Sequence, residues 1–173
     1  MGKTALIVID MLNDFLDPGG SLFMGAQARE IIPFVAQKIS AFRDPGRLVI
    51  FVCDAHAAYD PEFGAFPAHA VQGSWGAGII PELPPAPGDY RVEKTRHSAF
   101  DDTNLDDLLQ EEQVEEVHLA GVLTSICVLS TVKDLFHRKL SGLVYRQGVA
   151  DSDPETHAAA LKQMQRDLGM KVV

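Results

Sequence analysis

Short runs of Val, Ile and Leu recur along this chain with helix-spaced apolar patterns between them, and no other feature narrows its possible folds as far. Strands that alternate with helices pair in parallel and are covered on both faces, so they read as continuous apolar runs. "TALIVID" (4–10) and "RLVIFVCD" (47–54) are two such runs. Between them, "AQAREIIPFVAQKISAFRD" (26–44) has helical spacing, contains one Pro and stops before Pro45 and Gly46. The alternation continues with strand "YRVEK" (90–94), a helix near "NLDDLLQEEQ" (104–113) and strand "EVHLAGVL" (116–123). It closes with helix "SICVLSTVKDLFHRKL" (125–140), strand "GLVYRQGV" (142–149), helix "DPETHAAALKQMQRDLG" (153–169) and strand "MKVV" (170–173). Asp153 is placed to cap the last helix and Gly169 to stop it. The pattern predicts an α/β fold with three αβα layers around a six-stranded parallel sheet, Rossmann-like, in one domain spanning residues 1–173.

Ligands of such open sheets bind beyond the carboxyl ends of the strands, where the strand order reverses. Asp10, Asp54, Lys94 and Cys127 all fall at or just after predicted strand ends, so residues far apart in sequence can converge. From Ala55 to Asp89 regular structure is scarce, and a loop of that length inside a compact domain is expected to cover a site.

Charge removes several classes of partner. With 24 acidic against 15 basic residues the formal charge is -9, and no basic stripe interrupts it. Nucleic acid and anionic membrane surfaces are repelled on average. The opening "MGKTALIVID" lacks the long apolar region and cleavage site of a signal peptide, which points to a cytoplasmic protein. Cys53 and Cys127, the two cysteines, make no disulfide framework and are read as free thiols.

Cys127 sits in "GVLTSICVLSTV", just past a strand and in the first turn of a helix, with Thr124 and Ser125 as candidate N-caps. Unpaired N–H groups at such a turn stabilise a thiolate, so a depressed thiol pKa is expected. Asp10 closes the run "ALIVID", where an unpaired carboxylate is costly to bury. Taken singly, these are an inert core cysteine and a capping aspartate, and Lys94 is a surface lysine. Taken together they are a nucleophile, a proton acceptor and a cation, the set needed to ionise a thiol, attack a carbonyl and protonate a leaving amine.

A second group lies in "CDAHAAYDPEFGAFPAH". Asp54 and His56 alternate by two, which puts them on one side of the strand end with Cys53 on the other; Glu62 and His69 follow in the loop. Two imidazoles and two carboxylates suit one divalent transition metal, Zn foremost, or Fe or Mn. Solvated polar loop residues are the bland alternative.

These motifs resemble those of the isochorismatase-like cysteine hydrolases, and within them the nicotinamidases. The resemblance covers nearly the whole chain through "ALIVIDMLNDFLDPGGSL", "CDAH", "FPAHAVQGSWGAGIIPEL", "EKTRHSAF" and "LAGVLTSICVLSTVKDLF". It implies Asp10 as general acid/base, Lys94 as the lysine of a catalytic triad and Cys127 as nucleophile. It further implies Asp54, His56, Glu62 and His69 as metal ligands and a cis peptide before Leu123. The amides of Leu123 and Cys127 would form an oxyanion hole, and Phe15 and Phe66 would wall a pyridine ring. Ser125 stands where many relatives have Asp, and Phe66 where many have Trp; cap and aromatic wall are kept.

The implied reaction turns nicotinamide into nicotinate and ammonia through a cysteine thioester, as in NAD salvage, with a small pyridine carboxamide as partner. A metal-free amidase or ureidohydrolase on the same triad is the nearest alternative. A nucleotide- or flavin-binding module is another, although "DMLNDFLDPGG" after the first strand is no phosphate loop. His97 is placed to line the pocket, while His118, His137 and His157 are assigned surface or structural roles. Amphipathic helices could present an apolar face for a homo-oligomer.

Overall fold

A computed structural model describes residues 2–43 and 46–173. Six parallel strands form one sheet: β1 (Lys3–Ile9), β2 (Arg47–Asp54), β3 (Tyr90–Lys94), β4 (Val114–Val122), β5 (Ser141–Ala150) and β6 (Lys171–Val172). Their order is β3-β2-β1-β4-β5-β6, so the first strand is central and the order reverses beside it. The apolar run of β1 is continuous because both of its faces are covered. Ala5, Ile7 and Ile9 pack into one core, and Leu6 and Val8 into the other.

On the first face lie α4 (Leu105–Glu111), α5 (Leu129–Arg138) and α6 (Pro154–Arg166), which bury Leu105, Leu109, Val132, Leu135, Leu161 and Met164. On the second, α3 (Ile32–Phe42) buries Val35, Ile39 and Phe42, together with α1 (Asn13–Leu16) and α2 (Ala26–Arg29). The three-layer αβα architecture is the one expected from the alternation. No helix among the described residues is long and apolar enough to cross a membrane.

The helix expected over 26–44 is two helices. Pro33 has no N–H to give and its ring crowds the carbonyl of Arg29, so α2 ends there and α3 restarts with Pro33 in its first turn. The expected end at Asp44 lies outside the described residues. The short α1 has no counterpart in the sequence reading; at four residues it is below the length at which periodicity shows. At the other end Asp153 does cap α6, its carboxylate accepting the Thr156 N–H at 2.7 Å. Gly169 takes a left-handed φ of 62° as the chain leaves that helix.

Register brings the strand ends level. Asp54 pairs with Lys94 across β2 and β3, and Ile9 with Gly121 across β1 and β4. Gly121 has a φ of 121°, and a Cβ there would lie 2.0 Å from the Ile9 carbonyl oxygen. The close approach of β4 to β1 therefore depends on this glycine.

Candidate active site

Beyond the ends of β1, β2, β3 and β4 the chain turns sharply. Asp10 leaves β1 with a left-handed φ of 53°, its N–H donating to Val52 O at 2.9 Å. One carboxylate oxygen accepts the Asp54 N–H at 2.9 Å. The other lies 2.9 Å from Lys94 Nζ, though not aligned as a hydrogen bond. Lys94 is 2% exposed; its ammonium donates to Asp54 Oδ1 and to Arg96 O, and stands 3.5 Å from Cys127 Sγ. Asp10, Lys94 and Cys127 thus meet in one buried cluster.

The electrostatics differ from the sequence expectation. Burial pushes the Cys127 thiol well above its ordinary value, and the charges of Asp10 and Asp54 add to that against the pull of Lys94. The expected depression fails because N–H groups at a turn cannot offset burial beside two carboxylates. Burial and the Asp54 charge also raise Asp10, to about 6, so it remains an ionised acceptor at neutral pH. Burial alone would lower Lys94, but the charges of Asp10, of Cys127 once it is ionised and of Asp54 hold its ammonium well above the usual range. The resting arrangement is a neutral thiol beside a carboxylate and an ammonium.

The segment carrying Cys127 is a π-helical turn, Thr124–Val128, entered through a cis Val122–Leu123 peptide. Neither Thr124 nor Ser125 caps it. Thr124 Oγ1 pairs with His157 Nδ1 at 2.9 Å, and the Ser125 N–H donates to Asp151 Oδ2 at 2.8 Å. The Ser125 N–H is thus satisfied by Asp151, just past the end of β5.

Above the cluster opens a cavity of about 370 Å³. Asp10, Asp54 and Cys127 form its floor, Phe15, Leu22, Met24, Phe66, Leu123 and Ile126 its apolar walls. Glu62, His69, His97 and Ser152 supply polar edges. No lysine or arginine among the described residues lines it.

At one side of the cavity Asp54, His56 and His69, all buried, place ligand atoms within 4.8 Å of one another. His69 Nδ1 is 2.7 Å from Pro67 O, and His56 Nδ1 is 3.1 Å from Asp60 Oδ2, so in both rings Nε2 is left to face the group. His56 Nε2 has no hydrogen-bond partner and lies 3.6 Å from Asp54 Oδ2. The Asp54 and Asp60 carboxylates pull this imidazole up to about 9 against the effect of burial, so the metal-free ring carries a proton that a bound cation would displace. Glu62 stands outside the tight trio: its Oε1 is 4.0 Å from His69 Nε2 and 3.5 Å from His97 Nε2. Buried donors that converge within this distance, one nitrogen among them orphaned, fit a divalent metal.

Sequence reasoning missed two acids. Asp60 sits between His56 and the 3₁₀ turn Pro61–Gly64, and its place before a proline marks it only as a cap. Asp14, 8% exposed, accepts the Ser21 N–H at 3.0 Å and the Ala70 N–H at 2.8 Å, tying a cavity wall to the residue after His69. Nothing local in "NDFL" announces that role. Cys53 faces the opposite core from Asp54, as expected, and burial pushes its thiol up to about 12.

Fold and floor together define an α/β protein whose strand ends present a buried thiol to a cavity for a small molecule. The Isochorismatase domain matches residues 4–173, and the chain belongs to the isochorismatase family of hydrolases. A crystal structure of nicotinamidase/pyrazinamidase PncA from Bacillus subtilis shares 37% identity and a TM-score of 0.94, over 99% of each chain. A pyrazinamidase of Pyrococcus horikoshii in complex with zinc shares 30% over 99% of this chain and 98% of its own, with TM-score 0.92. A probable inactive nicotinamidase of Arabidopsis thaliana is 32% identical over 98% of this chain and 91% of its own.

Proposed function

We propose that residues 1–173 act as one domain with metal-dependent nicotinamidase activity, converting nicotinamide to nicotinate and ammonia for pyridine nucleotide salvage. The observation that carries this reading is the buried, unpartnered Nε2 of His56, aimed with Asp54 and His69 at one point beside the thiol. A metal-free amidase has no use for that orphaned nitrogen. A cavity edged by carboxylates and, among the described residues, lined by no lysine or arginine also suits a neutral ring amide better than a carboxylate-bearing ureido substrate.

Asp54, His56 and His69 would hold the divalent metal, Glu62 within reach, and it would supply a Lewis-acid anchor for a ring nitrogen. Phe15 and Phe66 confine the ring, which orients the carboxamide carbon toward Cys127 Sγ. Asp10 takes the thiol proton as Sγ attacks, and Lys94 stabilises the charges that develop between them. The backbone amides of Leu123 and Cys127 hold the oxyanion, each donor contributing about 3 kcal/mol. The proton on Asp10 passes to the nitrogen, ammonia leaves and a thioester remains. Asp10 then takes a proton from water as it attacks the thioester carbon and returns it to the departing sulfur, so the thiol is restored and the acid leaves as nicotinate, its own proton lost to solvent.

Ammonia release from nicotinamide by the purified protein, before and after chelation and alongside metal analysis, tests both halves. Release that falls on chelation, returns with Zn, Mn or Fe and is absent in Cys127→Ala supports the reading. Release unaffected by metal removal overturns the ring anchor, and turnover by Cys127→Ala overturns covalent catalysis. No release at all would align the chain with its relative described as inactive.

A further inference from the structure

We infer that Asp60 is a positioning residue for the metal-binding cluster, fixing His56 and Glu62 from one carboxylate. The inference rests on the metal-dependent reading above. Its two oxygens do different jobs: Oδ2 lies 3.1 Å from His56 Nδ1, and Oδ1 accepts the Glu62 N–H at 2.9 Å.

The first contact decides which nitrogen of His56 carries the lone pair. A ring nitrogen bonded to a carboxylate is the one that keeps its proton, so Nε2 is the nitrogen that gives its proton up to take a metal, and Nε2 is the buried atom that faces Asp54 and His69. Rotation of the ring by half a turn would put carbon atoms where Nδ1 and Nε2 now stand, taking the donor atom out of the cluster. His69 is held by the neutral Pro67 carbonyl, whereas His56 has a charged partner. A carboxylate behind an imidazole also makes it the more basic ligand.

The second contact caps the Pro61–Gly64 turn, which delivers the Glu62 side chain to the cavity edge. Capping alone is a structural duty that a serine performs equally well. Asp60→Ser therefore separates the two functions: it keeps a cap for Glu62 and removes the charged partner of His56.

The test is zinc affinity of the full chain, by competition with a chromophoric chelator, with thermal unfolding of the metal-free protein measured in parallel. Asp60→Ser is expected to bind zinc roughly 10- to 100-fold more weakly, a loss larger than any fall in its metal-free unfolding midpoint accounts for. Asp60→Asn, which can still accept from His56, should recover part of the loss. Wild-type affinity in Asp60→Ser, with binding still abolished in His69→Ala, overturns the role of Asp60 and leaves the metal reading standing. A weakening that only parallels a lower metal-free midpoint overturns it too, by assigning Asp60 to the turn alone. Absence of zinc binding by the wild-type chain overturns the metal reading itself.

Discussion

The ammonium of Lys94 lies 3.5 Å from the sulfur of Cys127, and Lys94 is the one lysine or arginine buried among the described residues. It also separates the carboxylates of Asp10 and Asp54. Lys94→Met would leave two acids buried without a cation. The metal-free variant should lose roughly 3 to 5 kcal/mol of stability in urea unfolding, and its activity with it. Wild-type stability would mean that the acids take up protons at little cost and that Lys94 serves the thiol alone.

Gly76 makes room for Asp14: a Cβ on it would lie 1.9 Å from Asp14 Oδ2. Gly76→Ala should push that carboxylate off the Ala70 and Ser21 amides, loosening His69 and the Leu22 wall together. A fall in kcat/KM of roughly tenfold to a hundredfold is expected. Gly64→Ala is the control, because a Cβ there meets nothing within 4 Å. Equal kinetics in the two variants would show that Asp14 has no part in shaping the cavity.

His157 links α6 to the turn that carries Cys127, and burial holds its imidazole below the ordinary 6.5. The folded state thus prefers the neutral ring, and the unfolded chain takes up the proton first as pH falls. The stabilisation is complete above 6.5 and is lost as pH drops through the lower folded value. Between about pH 7.5 and about pH 5.5 the wild-type unfolding temperature should fall more steeply than that of His157→Gln. Parallel slopes would remove His157 from the acid sensitivity of the fold.

The sheet was legible because burial on both faces leaves nothing polar in "ALIVI" or "VIFVC", and the strand ends could be read from where those runs stop. Strand order was not, since only pairing shows that β1 lies between β2 and β4. Pro33 was visible, but its power to split a helix depends on whether packing compensates for the lost hydrogen bond. The thiol's direction of shift was misread because the signal at hand was the local turn. What decides it is desolvation, with the charges of Asp10 and Asp54 added to it, and Asp54 is brought close by the β2–β3 register with Lys94. Asp14 and Asp60 act across loops whose curl no local pattern encodes.

The place of β1 has a consequence for how the chain comes into being. Its partners are β2, made soon afterwards, and β4, which begins only at Val114. Until roughly two thirds of the protein has been synthesised, one edge of a strand that is apolar from Ala5 to Ile9 has no neighbour to cover it. During that interval Asp10 ends a strand with an open flank, and the growing chain is more prone to stick to others than to perform any chemistry.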